Sequence, residues 1–139
     1  MTEHSLITGL YTEAGDIELR GGVGALRRFA ELLSADVPSY VLALDTSQTA
    51  RIAPYDHLLT AIHIMHNAGL VCISRSGSVL EIAGSRQKVK VLSDNLTRFA
   101  DSVESGTGRE THLHIEYFPD HYYLAASSLP IVVTSEDLL

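Results

Sequence analysis

Apolar and polar positions along the chain alternate in two registers, and each register predicts a different element. Period-two stretches at Leu6–Thr12, Asp16–Arg20, Leu70–Arg75 and Val79–Ala83 read as strands. They come as two hairpins, closed by Glu13-Ala14-Gly15 and by Ser76-Gly77-Ser78. After each hairpin the period lengthens to that of a helix. Leu26, Phe29, Ala30 and Leu33 share one face of the first, and Val89, Leu92, Leu96, Phe99 and Val103 share one face of the second. Gly21-Gly22 and Gly84-Ser85 mark the strand-to-helix turns. Runs rich in β-branched and aromatic residues follow, at Tyr40–Leu44 and Leu59–Met65 and again at Leu113–Tyr117 and Ile131–Thr134.

The same β-β-α-β-β order thus occurs twice. Ile17-Glu18-Leu19-Arg20-Gly21 aligns with Leu80-Glu81-Ile82-Ala83-Gly84, and beyond the helices Val41–Leu44 aligns with Leu113–Glu116. The extra residues of the second unit fall in Ser102–Glu110, a polar, Gly/Ser-rich stretch. This organisation predicts an α+β fold made of a tandem repeat, residues 1–68 and 69–139, within one compact domain. It further predicts a pseudo-twofold antiparallel sheet of about eight strands, with both helices on one face.

Composition narrows the class of function. The chain has 139 residues with 45% hydrophobic and 19% charged side chains, enough to form a core without staples. One cysteine, Cys72, excludes an internal disulfide and suits a reducing compartment. Its apolar surroundings predict a buried packing thiol. The apolar run Leu58–Ile73 is interrupted by His63, His66 and Asn67, so neither it nor the acidic N-terminus reads as a membrane or export segment. The expected location is the cytoplasm, without membrane contact.

Charge is distributed unevenly. Residues 1–90 carry eight basic and nine acidic side chains, whereas residues 91–139 carry two basic and eight acidic ones. The last third therefore holds −6 of the formal net charge of −7. That bias disfavours nucleic acid and favours a cationic protein partner.

Candidate chemistry is sparse. In Glu110–His121, a strand would place His112, His114 and Glu116 on one face, a set able to bind zinc or iron. A solvated or partner-facing strand accounts for the same residues, and no metal or cofactor is expected. Asp56-His57 and Asp120-His121 are neighbours and would point to opposite faces, which is unsuited to a catalytic dyad. His63 and His66 would likewise diverge. Gly21-Gly22-Val23-Gly24 lacks the third glycine of a dinucleotide loop. Tyr117, Phe118, Tyr122 and Tyr123 are either packing residues or interface anchors.

One stretch carries a resemblance. Leu113–Ala125, followed by Leu129-Pro130-Ile131-Val132-Val133, resembles the closing region of the immunity protein 32 family, and Leu80-Glu81-Ile82-Ala83-Gly84 resembles its opening. The likeness spans Val79–Val133, with Asp120 standing where a glycine turn is expected. It implies a non-enzymatic bacterial protein that binds and neutralises a toxin. Together with the charge bias, it gives a partner-binding set of Glu110, His112, His114, Glu116, Asp120, His121 and Tyr122, facing a basic toxin. The alternatives are a self-associating module, such as a homodimer formed through a strand edge, and a metal enzyme built on His112, His114 and Glu116.

Overall fold

The structure is a computed structural model that describes residues 2–49, 52–106 and 111–138. Ten strands and two helices follow in the order β1 (Thr2–His4), β2 (Thr8–Tyr11), β3 (Ile17–Gly21), α1 (Val23–Leu33), β4 (Ser39–Ala43), β5 (His57–Leu59), β6 (Ala61–His66), β7 (Cys72–Ser76), β8 (Val79–Gly84), α2 (Arg86–Ser105), β9 (His112–Ile115) and β10 (Ile131–Ser135). A 3-10 turn covers Glu136–Leu138. The α+β class and all eight expected strands are present. The single sheet is not: the strands divide into two mixed five-stranded sheets, β1-β4-β6-β8-β7 and β5-β2-β3-β10-β9.

The difference has a physical origin. Each sheet joins the hairpin before one helix to the strands after the other helix, through a parallel pairing of β6 with β8 or of β10 with β3. A hairpin fixes only its own two strands, while β6 and β8 flank β7, and β3 and β10 are separated by both helices, so no local turn sets either parallel pairing. Both sheets accordingly draw strands from either side of residue 68. The two short added strands, β1 and β5, lie at sheet edges.

One apolar cluster links both sheets and both helices, with Phe29, Leu33, Ile64, Ile82, Leu96 and Val133 among its members. The helices meet at small residues. Ser93 Oγ donates to the Ala30 carbonyl at 2.6 Å, and both residues are buried. The N-terminus of α1 has no side-chain cap from Gly22; instead the Asp137 carboxylate accepts from the Val23 amide at 3.0 Å. Ser85 caps α2 by accepting from the Lys88 amide.

Gly84 serves close packing rather than a turn: it ends β8, and a Cβ there would stand 2.9 Å from the backbone of Val71. Cys72 is half-buried, with Sγ 3.5 Å from Ser127 Oγ, so it is not the sealed thiol expected from its neighbours.

The sheets differ in how their faces are covered. In the β1-β4-β6-β8-β7 sheet, Leu42, Ile62 and Leu80 pair across the buried side, while Val41, His63, Glu81 and Ser74 pair across the other and remain partly exposed. In the second sheet β2 is buried along its whole length. Its second face is partly polar, and Tyr55, in the segment that leads into β5, lies against Arg20 on it. That segment is tied down where Asp45 N–H donates to the Ile7 carbonyl and Asp56 N–H to the Tyr11 carbonyl.

Candidate functional site

The polar face of the second sheet is ordered by its ladders into two rows. Thr8, Arg20, Thr134 and His112 are successive cross-strand neighbours, as are Leu10, Glu18, Val132 and His114. Direct neighbours across a ladder project on the same side, so these residues form one surface. Glu18, 8% exposed, is ion-paired with Arg20. Thr134 Oγ1 donates to Glu18 at 3.3 Å and lies 2.9 Å from His112 Nδ1. The threonine has a single proton and gives it to the carboxylate, so His112 must donate from Nδ1. The Arg20 guanidinium lies over the Tyr55 ring, 5.8 Å from its centroid. Burial, and next the Glu18 charge, push the Tyr55 phenol up.

This network ends at β9, the edge strand of the sheet. His112, His114 and Glu116 are exposed there and Ile115 is buried, as alternation required. Two open grooves adjoin the strand. The first, about 410 Å³, is lined by Asp16, Tyr55, Pro54, Pro130, His114 and Glu116. The second, about 320 Å³, lies between the strand and α2 and includes Asn95, Ile115, Phe118, Tyr122 and Tyr123. His114 and Glu116 border both.

An aromatic loop continues from the strand. Tyr117, Phe118 and Tyr122 are 38%, 56% and 56% exposed, three of the five large apolar side chains the described surface displays. The loop has its own scaffold. His121 stacks on Tyr122 with ring planes 3° apart, and its Nδ1 accepts from the Tyr123 and Leu124 amides at 3.3 and 3.0 Å. From α2, Lys88 Nζ donates to the Tyr122 carbonyl at 3.0 Å and Asn95 Nδ2 to the Tyr123 hydroxyl at 3.3 Å. Asp120 has φ +66°, the left-handed conformation that the expected glycine turn requires.

Of the sequence-derived set, His112, His114, Glu116, Asp120, His121 and Tyr122 fall on this edge and loop, and Glu110 lies outside the described residues. His121 faces its own loop, half-buried, more than it faces outward. The participation of Asp16, Glu18, Arg20 and Tyr55 went unread, because their nearness to β9 depends on the β3–β10 pairing; the charges of Glu18 and Arg20 on alternate positions of a buried strand were the available signal. Among the described residues no three His, Cys, Asp or Glu side chains gather closely enough to hold a metal ion. His112 Nδ1 is committed to Thr134, and the His112 and His114 rings stand 6.2 Å apart, edge to face. Asp56 and His57 both grip the β2–β3 turn, through the Glu13 amide and the Glu13 carboxylate. His63 bonds Ser39, and His66 faces the Val37 and Leu33 carbonyls.

The strand, the aromatic loop and the helix that anchors it all lie between β8 and β10. Residues 79–136 match the family model of immunity protein 32. The resemblance carried by Leu80–Gly84 and Leu113–Val133 is thus shown, and its span extends to Glu136. No curated protein matches the chain. The matched segment contains Lys88, Asn95, His121 and Asp120, the residues that shape the loop, as well as its exposed aromatics. Among the described residues, no helix is long and apolar enough to cross a membrane.

The loop is expected to respond to pH. Burial lowers the pKa of His121 below the ordinary 6.5, and only the form with a bare Nδ1 accepts the two amides. The unfolded chain binds this proton more readily than the folded one, so the contribution is complete above pH 6.5 and is lost as pH falls through and below that value. Amide NMR should show Tyr123 and Leu124 shifting together with a midpoint below 6.5. A midpoint above 6.5 would contradict the latch.

Proposed function

We propose that this chain is a non-enzymatic cytoplasmic immunity protein that binds a basic bacterial toxin through its acidic, aromatic C-terminal surface. The observation that carries the reading is the coincidence of three exposed aromatic side chains with an edge strand inside the immunity protein 32 match. Aromatic residues anchored in a groove-lined surface supply affinity, and a surrounding acidic field speeds encounter with a cationic partner. Glu116, Asp120, His112, His114 and Tyr122 are the contacts proposed, with Glu110 from the acidic stretch beside them. His121 acts by holding the loop.

The test is affinity capture from lysate of the source bacterium at two salt concentrations, comparing wild type with Glu116→Lys/Asp120→Asn. Asparagine tolerates the left-handed backbone at Asp120, so this pair changes charge without straining the turn. Wild type should retain one basic protein in stoichiometric amount, released by raised salt. The variant should fold normally and capture at least about tenfold less. Equal capture by the two chains would remove this surface from the account.

We also infer that residues 1–68 and 69–139 are two copies of one unit. Supporting this, Ala30 and Ser93, 63 residues apart, touch at the helix crossing, as equivalent residues on a twofold axis do. The alternation of hairpins and post-helix strands between the two sheets is what an exchange between such copies would produce.

A further inference from the structure

We propose that the toxin engages β9 by strand addition: an extended, lysine- or arginine-bearing segment of the partner pairs with this edge and continues the sheet. The proposal rests on the toxin-binding reading and specifies its mode.

The direction of the backbone groups follows from the ladders. Thr12 N–H donates to the Asp16 carbonyl, which makes Leu10–Glu18 and Thr8–Arg20 the hydrogen-bonded pairs of β2 and β3. Glu18 and Arg20 then face β2, and Leu19 faces β10. In the parallel register Leu19 lies opposite Val133 and bonds the flanking residues, Val132 and Thr134. Ile131 and Val133 therefore turn toward β9 and bond Ile115 and Leu113. The N–H and C=O groups of His112 and His114 are left pointing off the sheet, with no backbone partner among the described residues.

The other edges are shorter or covered. β1 and β5 have three residues each. Along β7 the Ile73 carbonyl accepts from the Leu129 amide, the Ile73 amide donates to Ser128 Oγ, and the Val71 carbonyl before it accepts from Ala125. Among the described residues β9 is thus the open template. The grooves supply specificity. Side chains of an added strand alternate between two faces, and one groove lies on each side of the His114–Glu116 backbone. Asp16 and Glu116 both line the first groove, and neither makes an ion pair among the described residues. Cationic side chains over the Tyr55 wall satisfy both. A second copy of this chain would bring one acidic C-terminal third against another, which charge disfavours.

The probe is a synthetic peptide of alternating lysine and valine, about eight residues to match the edge and its flanks, titrated by amide NMR into the full chain. A glutamate–valine peptide is the charge control. Expected are saturable shifts and slowed exchange at the His112 and His114 amides, absent with the glutamate peptide. His114→Pro removes an outward N–H that no described residue uses, and should weaken peptide binding about tenfold or more while leaving stability nearly unchanged. His114→Ala keeps that N–H and should bind within about threefold of wild type. Unshifted His112 and His114 amides, or equal binding by His114→Pro, would overturn strand addition. Doubling of the mass without peptide, with protection of the same amides, would place a second copy on the edge and overturn it also. Toxin capture that persists in His114→Pro but fails in Glu116→Lys/Asp120→Asn would reject the strand and keep the toxin reading.

Discussion

Arg20→Met is expected to destabilise the fold by about 3–5 kcal/mol, measured by urea unfolding at neutral pH. Glu18 is 8% exposed, and its carboxylate is balanced by the Arg20 guanidinium beside it. Thr134 supplies one further hydrogen bond at 3.3 Å, which does not compensate a full charge out of water. The side chain of methionine fills much of the arginine stem's volume, so the loss comes from the stranded charge more than from packing. The partner experiment isolates that cause. Glu18→Leu/Arg20→Met removes both charges and should return to within about 1 kcal/mol of wild type, or exceed it. A double variant as unstable as Arg20→Met would show that the pair is needed for the Tyr55 contact or for packing.

Ser93→Leu should cost about 3 kcal/mol and lower the melting temperature by roughly 10 °C. The α1–α2 crossing is close because Ala30 and Ser93 face each other with a hydrogen bond of 2.6 Å between them. Leucine removes the bond and forces the helices apart, disturbing Phe29, Leu33 and Leu96 in the common core. Ser93→Ala separates the two effects: it keeps the spacing, loses only the hydrogen bond, and should cost about 1 kcal/mol. Similar losses in the two variants would mean that helix spacing is not what holds the sheets together.

The elements were legible where burial imposes a period. Ile62, Ile64, Leu80 and Ile82 alternate with half-exposed neighbours, and α1 and α2 each bury one stripe. β1 escaped because Thr2–His4 has no apolar residue to set a period, and β5 because His57–Leu59 runs directly into the longer stretch of β6. Pairing partners were illegible for a different reason. A strand's side-chain pattern records which face is buried and says nothing about which strand lies beside it. The split into two sheets was therefore hidden, and with it the approach of Glu18, Arg20 and Asp16 to His112, His114 and Glu116. The aromatic loop was legible as a group of residues, while its support by Lys88 and Asn95 depends on where α2 lies. Asp120 was an informative exception: its departure from glycine marked a turn whose left-handed backbone is present.

The proposed toxin binding by the edge strand and its loop is tested most directly by hydrogen exchange of the chain, alone and in complex with the basic protein that it is proposed to capture. The account predicts that residues 112–123 gain protection, led by the His112 and His114 amides, while the β1 and β7 edges of the other sheet exchange as in the free protein. Protection confined to those edges, with the 112–123 amides unchanged, would contradict it.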